Sequence, residues 1–254
     1  MELIIIVAAG LALAMSLAWL VQRITGNSGW IDAIWSFATA AAGVTLALAQ
    51  GGPRALLAAG LVALWGLRLG IHIARRSAGA HDDPRYAALR QQWGSTFHAR
   101  LFFFLMIQAV CALVLALCVL AGARQPAPFP APADFAAVLV IAIGIAGEAL
   151  ADAQLRQFRA VPANRGKVCD RGLWAWSRHP NYFFEWLVWL AWPVMAFGSL
   201  WMILALLGPL QMYWLLVYAS GIPPLEATML QSRGDAYRAY QARVSPFFPL
   251  PPKV

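Results

Sequence analysis

Acidic and basic residues recur at helical spacing in the middle of the chain. Glu148, Asp152, Arg156 and Arg159 are separated by four, four and three positions, which places them on one face of a helix. Guanidinium groups match phosphate oxygens in pairs, so the pattern predicts an anion site. A salt-bridged helix end and a surface for lipid headgroups are the alternatives. Further basic residues follow within twenty positions of Arg159, at Arg165, Lys167, Arg171 and Arg178.

A second polar motif begins where that basic run ends. Residues 177–182 read Ser-Arg-His-Pro-Asn-Tyr, and Glu185 follows. Pro180 suits the first position of a helix, where the missing N–H costs nothing, and the free N–H groups at such a helix start attract anions. Asn181 and Glu185 are four positions apart and share a helix face. A proline-capped membrane helix is common by itself, so the motif gains weight from the basic run before it.

Other ionisable residues lie inside apolar stretches. A charge at the bilayer centre costs about 2.5 to 3.5 kcal/mol, so Asp32, Arg68 and His72 are functional candidates. The alternative is that they reach the membrane interface and do nothing more, which suits the long Arg68 side chain better than the short Asp32. Together with the acids named above, they indicate a polar cavity at one side of the membrane.

Membrane helices must position these side chains. Hydrophobic residues make up 61% of the 254 residues and charged residues 12%, against roughly 25% charged in soluble domains. Crossing the hydrocarbon takes roughly 20 apolar residues. We predict one all-α integral membrane domain over residues 1–254, with a cytoplasmic tail at 222–254 and seven transmembrane helices at 3–21, 30–50, 55–74, 101–122, 135–152, 181–198 and 200–221.

The basic residues predict the orientation of these spans, because cytoplasmic loops carry an excess of Lys and Arg. With the N-terminus outside, 16 of the 19 fall in cytoplasmic segments, Arg54 and Arg124 fall outside, and Arg68 lies within a span. We therefore predict an outer N-terminus, a cytoplasmic C-terminus and polar candidates that open to the cytoplasm. The lipid bilayer is the predicted environment.

Several common motifs are absent from the sequence. There is no GxGxxG or GxxxxGK[ST] and no GxSxG, which argues against a Rossmann or P-loop nucleotide site and against a serine acyltransferase. The cysteines form no CxxC pair, and the four histidines, His72, His81, His98 and His179, are widely spaced. We expect no metal, and nothing indicates a nucleic acid or an obligate protein partner.

Residues 155–159, 171–174 and 177–185, with the closing 237–246, resemble the steroid 5α-reductase family, particularly its bacterial membrane members. The resemblance covers most of the chain from residue 27 and is strongest over 152–185. It implies a membrane reductase, in a bacterial inner membrane, that takes NADPH from the cytoplasm. Its substrate would be a 3-oxo-Δ4 steroid or a similar hydrophobic enone, whose C4=C5 bond is saturated.

The resemblance also implies residue roles. The family's catalytic glutamate aligns with Asp32 and its partner tyrosine with Trp65, whose indole N–H would then be the second donor. Hydride transfer to an enone builds negative charge on the ketone oxygen, and a partly desolvated Asp32 is expected to donate there as a neutral acid. The family's histidine and tyrosine in the tail fall near Glu226 and Leu230, which do not match. The implied cofactor-binding residues are Arg68, Arg85, Asp152, Arg156, Arg159, Lys167, Asn181 and Glu185.

Other enzyme families share part of the motif. Arg-His-Pro-x-Tyr also occurs in isoprenylcysteine carboxyl methyltransferases and phospholipid methyltransferases, which use S-adenosylmethionine. Asn181 with Glu185, and the acidic Asp32, favour the reductase. Sterol C14 and Δ7 reductases share Arg-His-x-Asn-Tyr but are longer. A small transporter would carry polar residues through the full membrane thickness, whereas the outer half here is nearly bare.

Overall fold

The computed structural model of the chain describes residues 1–79 and 82–253. Regular structure in these ranges is helical, apart from an isolated bridge between Ser177 and Ser245. The predicted all-α class is therefore confirmed. The α-helices found there are α1 (Glu2–Thr25), α2 (Gly29–Leu48), α3 (Gly52–Ala78), α4 (Pro84–Trp93), α5 (Phe97–Ala123), α6 (Pro132–Ala160), α7 (Pro180–Met195), α8 (Trp201–Ala205), α9 (Leu207–Trp214), α10 (Ile222–Arg233) and α11 (Asp235–Arg243).

Six helical segments in the described ranges are long and apolar enough to cross a bilayer. Five of them coincide with the first five predicted spans, although the second ends at Leu48 rather than at residue 50, and the sixth runs from Trp201 to Arg233. The predicted span at 181–198 corresponds to α7, which has 16 residues, fewer than the roughly 20 that cross the hydrocarbon. The chain is thus a membrane protein, while seven spans and the orientation stay predictions.

The chain divides into two compact units. Unit 1 comprises Met1–Val138 and Trp192–Gly208, and unit 2 comprises Leu139–Ala191 and Pro209–Val254. Each unit is described by itself below. A single domain over residues 1–254 stays a prediction.

In unit 1, α1, α2, α3 and α5 pack side by side around an apolar core. Small residues let α2 and α3 approach closely, as is common between membrane helices. A methyl group on Gly66 would overlap the side chain of Ala40, and one on Gly70 would lie 2.6 Å from the ring of Phe37. This contact fixes the face of α3 that carries Trp65 against α2.

A buried ion pair fastens the connection before α6 in unit 1. Nε and Nη2 of Arg54 each donate to a carboxylate oxygen of Asp134 at 2.8 Å. Arg54 also donates to the backbone carbonyls of Gln125 and Ala127 at 2.6 and 2.8 Å. One of the two arginines predicted to lie outside is thereby part of the scaffold.

In unit 2, α6 and α7 are in close contact through two glycines of α6. A methyl group on Gly144 would lie 2.6 Å from Cγ2 of Val188, and one on Gly147 would overlap the ring of Phe184. Pro180 opens α7 at its first position, as predicted. The close approach brings the cytoplasmic end predicted for α6 next to the start of α7.

Candidate functional site

Asp32 lies on α2 within a hydrogen-bonded group in unit 1. Its Oδ2 accepts a hydrogen bond from Nη2 of Arg85, and its Oδ1 accepts one from the hydroxyl of Tyr86 at 3.2 Å. Nε2 of Gln108 on α5 donates to the same Tyr86 hydroxyl at 3.2 Å. We call Asp32, Asp83, Arg85, Tyr86 and Gln108 the Asp32 cluster. The side chain of Asp32 is 21% exposed, so the cluster is partly open.

Asp83 places Arg85 at the start of α4. Its Oδ1 accepts from the backbone N–H of Arg85 at 2.9 Å, which caps the helix, and also from Nε of Arg85 at 3.0 Å. Burial raises the pKa of the Asp83 carboxyl, but the hydrogen bonds and charge of Arg85 lower it more, so the pKa lies below its ordinary value. The pair therefore presents Arg85 to Asp32 in a fixed direction.

Trp65 and Arg68 occupy one face of α3. Trp65 is 1% exposed and packs edge to face on Trp35, with ring centroids 6.4 Å apart. Arg68 lies one helical turn further and is half-buried. The structure thus brings Asp32 and Arg85 together and buries Trp65 in the core, while the cofactor role of Arg68 stays a prediction.

The start of α7 faces α6 in unit 2. Nδ2 of Asn181 lies 3.5 Å from Oδ1 of Asp152, a weak hydrogen bond. Oε1 of Glu185 accepts from the indole N–H of Trp189 at 3.1 Å. Asp152 is 8% exposed and Glu185 6%. The structure therefore brings together two of the residues assigned to the cofactor by resemblance, Asp152 and Asn181, and Glu185 lies one turn further along α7.

A run of exposed basic residues follows Asp152 in the chain. We call residues 156–171 the basic segment. The helix α6 continues to Ala160, so Arg156 and Arg159 lie one and two turns beyond Asp152, as the spacing predicts. All five basic side chains of the segment are exposed, and four of them form no ion pair within the described part of the chain: Arg156, Arg165, Lys167 and Arg171.

Contacts with α6 fix the end of the basic segment. The side-chain oxygen of Gln154 accepts from the backbone N–H of Leu173 at 2.9 Å, and the indole of Trp174 donates to the carbonyl of Ala151 at 3.0 Å. Gly172 has a φ of 57° and passes so close to Gln154 that a methyl group would lie 2.6 Å from its oxygen. The cations are thus carried on an anchored loop.

Glu226 is a central residue of unit 2 that the sequence left without a role. It accepts hydrogen bonds from Nε of Arg178 at 2.7 Å, from the Tyr237 hydroxyl at 3.2 Å and from Gln241 at 2.7 Å, and lies 3.0 Å from Nε2 of His179. Arg178 also donates to the carbonyl of Val244 at 2.6 Å. We call these residues the Glu226 network. Within it, Arg178 links Glu226 to the backbone of the tail, which is a structural role.

The C-terminal tail is attached to the same motif. The backbone N–H of Arg178 donates to the carbonyl of Ser245 at 2.8 Å, and the Ser177 hydroxyl donates to the carbonyl of Phe247 at 2.8 Å. The Phe247 ring packs against Trp186 and Tyr213, with centroids 5.8 and 5.3 Å away. The tail contains α11, and the tail contacts hold residues 177–179 in place.

Metal ligands do not gather in the described residues. No group of three or more His, Cys, Asp or Glu side chains that could hold an ion occurs in those ranges. His81 lies outside the described residues.

A family model places these features in context. The model described as "Protein of unknown function (DUF1295)" matches residues 18–244. The chain belongs to this family. The matched range of the DUF1295 protein includes the Asp32 cluster, the basic segment and the Glu226 network. No curated protein and no solved structure matches the chain.

Proposed function

We propose that this protein is an NADPH-dependent reductase of the steroid 5α-reductase type, which saturates the C4=C5 bond of 3-oxo-Δ4 steroids or of similar hydrophobic enones. The observation that carries the proposal is the set of four exposed cations that follow Asp152 and form no ion pair within the described residues: Arg156, Arg165, Lys167 and Arg171. NADPH bears three phosphate groups, which such cations bind. S-adenosylmethionine bears none and carries a sulfonium charge, so the same surface would repel it.

The reaction type is inferred from the resemblance of residues 177–185 to the steroid 5α-reductase family. In the proposed reaction NADPH supplies a hydride to the β-carbon of the enone, and negative charge moves to the ketone oxygen. Asp32 donates a proton or a hydrogen bond to that oxygen. Lys167, Arg156 and Arg159 hold phosphate oxygens, and Asp152 with Asn181 holds polar groups of the nucleotide.

Arg85 must change partners for Asp32 to act as a donor. An ionised carboxylate bound to a guanidinium group only accepts hydrogen bonds. A phosphate oxygen is a competing ligand for Arg85, and the resemblance assigns this arginine to the cofactor. In the proposed cycle, Arg85 would hold a phosphate oxygen and release Asp32, which would then take up a proton.

Cofactor preference tests the proposal. The purified protein is expected to bind NADPH more tightly than NADH, and Arg156→Gln with Lys167→Gln is expected to raise the Kd for NADPH roughly tenfold, as befits lost contacts to charged oxygens. Arg238→Gln is the matched control, because Arg238 is exposed and pairs only with Asp235 within the described residues. Binding of S-adenosylmethionine without binding of NADPH would overturn the proposal.

A further inference from the structure

The two oxygens of Asp32 are held by donors of different kinds. Oδ2 faces Arg85, a permanent cation, whereas Oδ1 faces the hydroxyl of Tyr86 at 3.2 Å. The charged groups around this carboxylate are Arg85 and Asp83 at the start of α4, with Arg76 of α3 lying 3.6 Å from Asp83. Tyr86 is therefore the neutral donor that stays on Asp32 when its cationic partner leaves.

Gln108 fixes the direction in which the Tyr86 hydroxyl donates. Nε2 of Gln108 donates to the hydroxyl oxygen at 3.2 Å, so the amide occupies an acceptor site of the tyrosine and the hydroxyl proton points toward Asp32. Tyr86 is 3% exposed, and its ring packs edge to face on that of Phe104, with the ring centroids 6.5 Å apart. A hydroxyl so enclosed has one partner to which it donates.

From this chain of hydrogen bonds we infer that Tyr86, oriented by Gln108, is the residue that positions Asp32 and stabilises its carboxylate after the proton has left. The inference rests on the proposed function, in which Asp32 gives its O–H proton to the enolate oxygen. The O–H bond of Asp32 breaks, its electron pair stays on the carboxylate, and a new O–H bond forms on the substrate. The hydrogen bond from Tyr86 strengthens as that negative charge appears.

The side chain of Trp65 lies in the core of unit 1. It packs against Trp35 of α2, whereas Asp32 accepts a hydrogen bond from the hydroxyl of Tyr86 on α4. A tyrosine hydroxyl thus reaches Asp32 from α4, and the donor role that the resemblance implies for Trp65 stays a prediction.

The test compares Tyr86→Phe, Gln108→Leu and Tyr218→Phe with the wild type in steady-state reduction of a 3-oxo-Δ4 steroid by NADPH over a range of pH. Tyr86→Phe removes only the hydroxyl, so kcat is expected to fall about tenfold or more, the factor for a lost hydrogen bond to a charged group. KM for NADPH is expected to stay unchanged. The alkaline limb of the pH profile is expected to move to higher pH, because a carboxylate with one donor fewer holds its proton more tightly.

Gln108→Leu is expected to shift the profile in the same direction by less, and Tyr218→Phe, at an exposed position, to match the wild type. A wild type that reduces no enone would overturn the proposed function and this inference with it. An active wild type with Tyr86→Phe of equal kcat and equal pH profile would overturn the inference alone. A fall in kcat without a shift of the profile would show a packing role and would also overturn it.

Discussion

At the scale of single residues, Glu226 on α10 holds the geometry of residues 177–179 in unit 2 through contacts with side chains at 178–179 and on α11. Its partner Arg178 is only 10% exposed in its side chain, and Glu226 itself 14%. Removing one partner of such a pair leaves an uncompensated buried charge. The network therefore carries a large share of the stability of the tail.

Glu226→Gln removes this countercharge with little change of shape. We expect it to lower the free energy of unfolding by about 3 kcal/mol, as for other broken buried pairs. Chemical denaturation of the protein in detergent measures the change. Asp235→Asn is the control, because the Asp235 side chain is 95% exposed, and equal destabilisation by the two variants would contradict the account.

His179 gives the network a dependence on pH. Burial lowers the pKa of His179, and the hydrogen bond and charge of Glu226 raise it by less, so its pKa in the folded protein lies below its ordinary value. The unfolded chain then binds the proton more readily, and the stability that the neutral His179 contributes is complete above pH of about 6.5 and is lost as pH falls below that value.

We therefore expect the thermal midpoint to decrease from pH 7.5 to pH 5.5, in the range that an unfolded histidine titrates. In His179→Gln, which cannot titrate, this part of the decrease should disappear. The measurement is a series of melting curves of both proteins. Parallel pH dependence of the two would show that another group is responsible.

The sequence gives some of these residues and not others. The costs of placing charge in a membrane single out Asp32, Glu148 and Asp152 without any structure. Tyr86 and Glu226 were missed, because their roles depend on partners that lie 54 and 47 positions away, Asp32 and His179. The sequence contains one indication that Glu226 has a role, because this acidic side chain lies in an otherwise apolar stretch.

At the scale of helices, the contact between α6 and α7 positions Asp152 against Asn181. Gly144 has no room for a side chain, because an added methyl would lie 2.6 Å from Val188 and 3.0 Å from the carbonyl of Phe184. Gly60 on α3 is a matched control, because a methyl there meets nothing within 4 Å. A comparison of alanine substitutions at these two glycines separates the effect of packing from that of helix propensity.

Gly144→Ala is expected to destabilise the protein by roughly 1 to 3 kcal/mol, the usual cost of overpacking, and to weaken NADPH binding because Asn181 moves from Asp152. Gly60→Ala is expected to raise the stability by up to about 1 kcal/mol, because alanine has the higher helix propensity, and to leave NADPH binding unchanged. Unfolding curves and nucleotide titrations measure the two effects. A Gly144→Ala protein with wild-type stability and affinity would show that the helices can separate without consequence.

Hydrophobic pattern predicts most helices but not their interruptions. The spacing of Glu148, Asp152, Arg156 and Arg159 predicts that α6 continues past the membrane, and it does so to Ala160. The predicted span at 200–221 is instead divided into α8, α9 and a π-helical turn at Leu215–Ala219. Pro209 has no N–H to bond with Ala205, where α8 ends, and apolar composition alone does not reveal such a break.

At the scale of the whole molecule, the basic residues differ in what they do. The two arginines predicted to lie outside are engaged in scaffold contacts: Arg54 with Asp134, and Arg124 with Gln50 at 2.8 Å and with the Trp201 ring at 4.7 Å. The cations of the basic segment are exposed. The exposed positive charge, on which the predicted orientation depends, is thus concentrated in the basic segment, where a phosphate ligand is proposed to bind.

This distribution of basic residues predicts that the cofactor enters the site from the cytoplasm. In a variant without Cys111, Cys118 and Cys169, a cysteine introduced as Arg165→Cys is expected to react with a membrane-impermeant maleimide only after the cytoplasmic side is opened. Gln50→Cys, beside Arg124, is expected to react in intact cells. The opposite labelling pattern would reverse the predicted orientation, since the positive-inside rule is its only basis.

The central claim, hydride transfer from NADPH to an enone, is tested most directly with isotope. The purified protein is incubated with a 3-oxo-Δ4 steroid and NADPH that carries deuterium at both C4 positions of the nicotinamide, and the product is examined by mass spectrometry and NMR. The account predicts a saturated ketone with one deuterium on the former β-carbon, and much less of it with Asp32→Asn. Recovery of unreacted steroid, or of a reduced product without deuterium, would contradict it.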